Sequence, residues 1–125
     1  MSSLVFDTGA LIALERRDAR VIALASRVTA GTVTAYVPVG VVAKSWRGSA
    51  RQQPIARLLR TRTLTIDPLT EDLAFQLGVL LARTGSSDVV DAHVALLARR
   101  LRAVVVTSDP DDIAALDPGL DLVVV

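Results

Sequence analysis

The stretch Ala103-Val104-Val105-Val106 carries no polar side chain and stops at Thr107-Ser108-Asp109. As a strand, such a run has no face to turn to water. It must be covered on both sides, which is the habit of strands in parallel sheets. Leu4-Val5-Phe6, ending at Asp7-Thr8-Gly9, repeats the pattern near the N-terminus. Parallel neighbours require crossover connections, ordinarily helices. The segments between the apolar runs have the period to supply them.

In chain order, a short helix is expected over residues 10–15. A second starts at a cap from Asp18 and runs to about Thr29, with Val21, Ile22, Leu24, Ala25 and Val28 on its apolar side. Residues 32–37 alternate and are rich in β-branched side chains, so they read as a strand. Pro38 suits the first turn of a helix over 39–46 that stops near Gly48. A helix over about 52–60 turns Ile55, Leu58 and Leu59 inward. Leu64-Thr65-Ile66 is a strand broken by Asp67-Pro68. Thr70 caps a helix with Phe75, Leu77, Leu80 and Leu81 as core positions, ending near Gly85. Ser86 or Ser87 then caps a helix through Arg99-Arg100, with Val90, Val94, Leu97 and Ala98 on its apolar side. Pro110-Asp111-Asp112 opens a short helix, and residues 122–125 form the last strand. Alternating strands and helices with short connections give an α/β fold with a mostly parallel sheet and helices on both faces.

At 125 residues the chain, 1–125, is expected to form one domain with a real core. It is 51% hydrophobic with a mean hydropathy of +0.47, high for a protein of this size, which suggests buried strands and a surface that meets a partner. No apolar stretch approaches the ~20 residues of a membrane span, and no basic region leads a long apolar run as in a secretory signal. Cysteine is absent, which excludes disulfides and thiolate metal sites and suits the cytoplasm. The net charge of +1 hides an uneven distribution. Between Asp18 and Asp67 there is no acid, and eight basic residues run from Arg20 to Arg62. A basic middle with acidic ends suits a phosphate-binding surface beside a carboxylate site; solvated helix faces are the simpler account of any single arginine.

The acids follow a rule. Asp7 and Asp109 each end an apolar strand, and ligands bind beyond the carboxyl ends of strands in open α/β sheets. Asp88 and Asp91 stand three apart at a helix start, so they share a face. Helix capping explains each of these acids separately. Together they form the oxygen-rich cluster that Mg²⁺ or Mn²⁺ requires, and such ions assist phosphodiester hydrolysis. A hydrolase of small phosphates would satisfy the same electrostatics, although it needs no extended arginine surface.

Three segments carry a resemblance: residues 4–15 (LVFDTGALIALE), residues 85–92 (GSSDVVDA) and residues 104–112 (VVVTSDPDD). In order and spacing the chain resembles PIN domains, and in particular VapC-type toxins of bacterial type II toxin–antitoxin pairs. That resemblance implies a three-layer α/β/α sandwich and a Mg²⁺-dependent (or Mn²⁺-dependent) endoribonuclease. It implies RNA as substrate, a cognate antitoxin as inhibitor and a homodimer. It assigns metal binding to Asp7, Asp91 and Asp109. It adds Asp88 and Asp112 as contributors through water, with Thr107 or Ser108 orienting the last carboxylate.

One position departs from the family pattern. The family places a glutamate in the helix after the second strand; here the residue is Lys44, in Val41-Val42-Ala43-Lys44-Ser45-Trp46-Arg47. An ammonium at a cation site is expected to pair with Asp7 or Asp91, to lower metal affinity and to suppress catalysis. Lys44 is also the only lysine, against thirteen arginines. Two origins are open: an inactivating change from glutamate, or a naturally degenerate member. The alternative function is a non-catalytic PIN-fold module that binds RNA or an antitoxin. His93, two residues beyond Asp91, is expected in the core or an interface rather than as a base. Trp46 is expected in the core or an antitoxin groove, and Arg47 near RNA phosphate or antitoxin carboxylates.

Overall fold

The computed structural model describes residues 3–125. Its centre is a five-stranded sheet, all parallel, of order β3-β2-β1-β4-β5. The strands are β1 (Leu4–Phe6), β2 (Ala35–Pro38), β3 (Leu64–Asp67), β4 (Val104–Thr107) and β5 (Leu122–Val124). Register aligns Phe6 with Val106 and Pro38 with Asp67, so the carboxyl ends of the strands finish on one edge. Val5, Phe6, Val105 and Val106 are fully buried, the expected fate of strands without a polar face.

Helices cover both faces. From β1 to β3 the chain moves one way across the sheet through α1 (Thr8–Glu15), α2 (Ala19–Thr29), α3 (Val39–Ser45) and α4 (Gln53–Leu59). It then crosses back through α5 (Glu71–Thr84) and α6 (Val89–Leu101) to β4, and α7 (Pro110–Leu116) leads to β5. Right-handed crossovers place helices from opposite directions of travel on opposite faces. The main core joins the sheet to α1, α2, α4 and α6 through Leu11, Val28, Ile55, Leu58 and Leu97, and a smaller one joins α5, α6 and α7 through Leu73, Leu77, Ala92, Ala95 and Leu116. The strand order reverses between β1 and β4. That reversal leaves a crevice beyond their carboxyl ends, where Asp7 and Asp109 stand.

Several expectations need correction. The second strand is shorter than residues 32–37: it begins at Ala35, although Val33 is buried beside it. Pro38 is the last residue of β2 rather than part of α3. Phe75 is not core but 72% exposed, and Leu73 takes its place. Helix α5 bears two apolar stripes, Leu73/Leu77 and Phe75/Val79, and periodicity alone does not say which one meets α6 and α7. Ile22 likewise faces outward, while Val21, Ala25 and Val28 are buried. Trp46 ends α3 and is exposed, so it is no core residue.

Candidate active site

Asp7 does two jobs. It is the N-cap of α1, its Oδ1 accepting from the Ala10 N–H at 2.8 Å, and it is only 3% exposed at the end of β1. Burial pushes its carboxyl above the ordinary carboxylate range. The Thr107 hydroxyl and the Ala10 N–H pull the other way, and the neighbouring Asp109 charge raises it again. Thr107, fully buried at the end of β4, also accepts from the Asp109 N–H at 2.8 Å. One hydroxyl thus ties the ends of β1 and β4 together. The Ser108 hydroxyl donates to Asp109 Oδ2 at 3.3 Å. Gly9 allows this close approach: a Cβ there would collide with the Ser108 hydroxyl and lie 3.4 Å from Asp109 Oδ2.

The third and fourth acids come from the start of α6. Neither Ser86 nor Ser87 caps that helix. Asp88 does, its Oδ1 accepting from the Asp91 N–H at 2.9 Å, while Ser86 Oγ accepts from the Asp88 N–H at 3.3 Å. The cap fixes Asp88 against Asp91, and the two remain on one face as their spacing requires. Asp91 is pushed up to about 6, first by burial and then by the charges of Asp88 and Asp7, with Asp112 adding to them; Lys44 alone among the causes lowers it. Mutual repulsion of this kind means that the acids feel one another across a shared space.

That space is a cleft of roughly 700 Å³. Asp7, Asp88, Asp91, Asp109 and Asp112 all line it, as does Asp18 at the cap of α2, whereas Asp111 does not. Lys44 lines it too, but its partner differs from the expected Asp7 or Asp91. Its Nζ lies 3.5 Å from Asp88 Oδ2, and both side chains are substantially exposed. Charge pairs so exposed are worth little in stability. Their importance here is positional.

The acids suit a hard divalent cation by chemistry. As the side chains stand, no three His, Cys, Asp or Glu groups among the described residues are close enough to cage one. Mg²⁺ does not require a cage: it keeps several waters and is held by one or two carboxylates together with substrate phosphates. The donor set therefore fits such an ion, with Lys44 competing for the same negative charge.

The PIN domain family model matches residues 4–117. The chain belongs to the PIN domain family. Two solved structures have similar folds. "Structure of FitAB bound to IR36 DNA fragment" aligns with a TM-score of 0.63 at 18% identity, covering 96% of this chain and 93% of that one. "Crystal Structure of FitAcB from Neisseria gonorrhoeae" aligns with a TM-score of 0.59 at 20% identity, covering 95% of each chain. No curated protein gave a significant match.

In this PIN domain, His93 is buried as expected and lies outside the cleft. Its Nε2 is 2.8 Å from Asp67 Oδ2 at the end of β3. Arg47 folds back onto the end of α3, where its Nη1 donates to the Ala43 and Trp46 carbonyls, and it does not line the cleft. The arginines that do are Arg16, which no sequence signal singled out, and Arg20, the first residue of the basic middle. Two further features escaped the sequence. Thr8 Oγ1 is buried in the cleft wall without a hydrogen-bond partner among the described residues. Gln52 is buried and spans three segments, donating to Glu15 Oε1 and the Ser45 carbonyl and accepting from the Arg47 and Gly48 N–H groups. It fixes the loop that follows α3. Among the described residues no helix is long and apolar enough to cross a membrane.

Proposed function

We propose that this PIN domain is the toxin component of a type II toxin–antitoxin pair, built as a Mg²⁺-dependent endoribonuclease and weakened by Lys44. Mn²⁺ would serve in place of Mg²⁺. The observation that carries the reading is the convergence of five aspartates from β1, α6, β4 and α7 on one cleft, with Lys44 where the family pattern has a glutamate. Asp7, Asp91 and Asp109 would hold the ion, and Asp88 and Asp112 would contribute through water. When bound, the ion supplies a water of lowered pKa and charge stabilisation at the leaving oxygen. The chain's own part is to fix the acids. Capping holds Asp7 and Asp88, and the Thr107 and Ser108 hydroxyls hold Asp109.

A cognate antitoxin, a homodimer and a cytoplasmic site of action complete the reading. The neighbour named FitAB, solved on DNA, supports a chain that works with a second protein, and the outward Phe75/Val79 stripe supports an interface. A second reading, a module that binds RNA or antitoxin without cleaving, is favoured by the Lys44–Asp88 pair itself.

The test is RNA cleavage with Mg²⁺ or Mn²⁺ by three proteins: this chain, Lys44→Glu, and Lys44→Glu combined with Asp7→Ala. Cleavage by Lys44→Glu alone is the expected result. If neither this chain nor Lys44→Glu cuts any of a broad set of RNAs, the non-catalytic module replaces the nuclease.

A further inference from the structure

Arg17 sits at φ 61, in the left-handed region, at the end of α1. Its N–H donates to the Leu14 carbonyl and the Asp18 N–H to the Ala13 carbonyl, both at 3.0 Å. This is the Schellman closure, whose left-handed position normally belongs to glycine. A side chain held there is strained, and such strain tends to collect where geometry serves function. Here the turn separates two neighbouring cations. Arg16 lines the acidic cleft, whereas Arg17 lines a different groove, between α2 and α4.

The turn also sets Arg20. Asp18 closes α1 and caps α2, accepting from the Arg20 N–H at 2.9 Å and the Val21 N–H at 3.3 Å. Its Oδ2 lies 3.6 Å from Arg20 Nη2, and Arg20 Nη1 donates to the Val124 carbonyl at 3.2 Å. Arg20 is thereby held at the cleft with guanidinium N–H groups to spare. Arg16 is exposed and has no ion pair among the described residues. The one cleft-lining aspartate that Arg20 pairs with is Asp18; neither arginine pairs with Asp7, Asp88, Asp91, Asp109 or Asp112, so they are not that cluster's counter-charges.

We propose that Arg16 and Arg20 bind the phosphates of an RNA strand that flank the phosphate placed at the aspartates. The inference rests on the proposed nuclease reading and adds the strand's path, over the α1–α2 turn. A small phosphate substrate needs only the acid end of the cleft. A polyanion brings further phosphates that must be neutralised nearby, and planar guanidinium groups suit them. No aromatic side chain lines the cleft, so bases have no stacking platform, and the contact is to backbone and tolerant of sequence.

The test is salt-dependent binding of a short fluorescein-labelled single-stranded RNA, read by anisotropy in Ca²⁺. Arg16→Ala and Arg20→Gln are each expected to weaken binding several-fold and to lower the slope of log K against log salt by about 0.7. Arg17→Ala removes the same charge one residue away, yet is expected to leave that slope unchanged. Circular dichroism verifies that Arg20→Gln, which loses the tie to Val124, is folded. Equal losses in all three variants, no loss in any, or no RNA binding by the parent chain would overturn the proposal. If Lys44→Glu cleaves RNA while Arg16→Ala leaves the slope unmoved, this inference fails alone. If the slope moves while Lys44→Glu is inert, the nuclease reading fails and the phosphate contacts stand.

Discussion

The two ends of α6 treat charge in opposite ways. At its C-terminal end, Arg99 Nε and Nη2 form a two-pronged bond to the Asp117 carboxylate, whose pKa is held down by that guanidinium. At its N-terminal end, Asp91 is raised to about 6 by burial and by other aspartates, and one half-exposed lysine is the only cation among the described residues paired with the cluster. One end has its charges matched; the other holds like charges together. Stability and site chemistry are thus divided along a single helix, and substitutions at the two ends should move stability in opposite directions.

The largest effect should come from neither end but from the buried middle of the helix. Leu97→Ala opens a cavity in the main core and should cost about 3 kcal/mol in urea unfolding. Asp91→Asn should do the reverse. The folded pKa of Asp91 is about 6 against an ordinary value of 3.8, so the folded state holds more protons between those values and its stability falls as pH rises through them. Replacing the acid should therefore raise stability at pH 7 by on the order of 1 kcal/mol after allowance for partial exposure, with the gain gone near pH 4. A gain that does not depend on pH would remove like-charge repulsion as the explanation. Thr8→Val should also stabilise, by up to about 1 kcal/mol, because it replaces an unpartnered buried hydroxyl with a methyl group of similar shape. A clear loss in thermal melting would instead mean that the hydroxyl has a partner. Asp117→Asn should be mildly destabilising, by at most about 1 kcal/mol, since the pair it weakens is largely at the surface.

How much of this could be read from the residues follows from the range of the forces involved. Strands β1 and β4 were legible because an all-apolar run has one physical meaning, and Asp7 and Asp109 came with them as the residues that stop those runs. Asp88 and Asp91 were legible as a helix start, although the cap itself is Asp88 and not a serine. A carboxylate three residues ahead of a free N–H competes for it on equal terms with a hydroxyl. The outward Phe75 was not legible, because its helix offers two apolar stripes and only packing against α6 and α7 chooses between them. Arg16 and Arg20 enter the cleft through a left-handed turn that no local pattern announces, and Gln52 is explained only by partners up to 37 residues away. The partner of Lys44 was misjudged for a similar reason. The lysine approaches from α3 toward the cap of α6, where Asp88 is more exposed than the buried Asp7.

The central claim is that Lys44 stands among carboxylates arranged for a divalent cation. The direct measurement is a Mn²⁺ titration, by calorimetry, of this chain and of Lys44→Glu. The account predicts saturable binding to Lys44→Glu, tighter by at least about tenfold than to the parent chain, since the exchange removes a competing ammonium and adds a ligand. Equal affinity in the two proteins, or no binding by either, would contradict it.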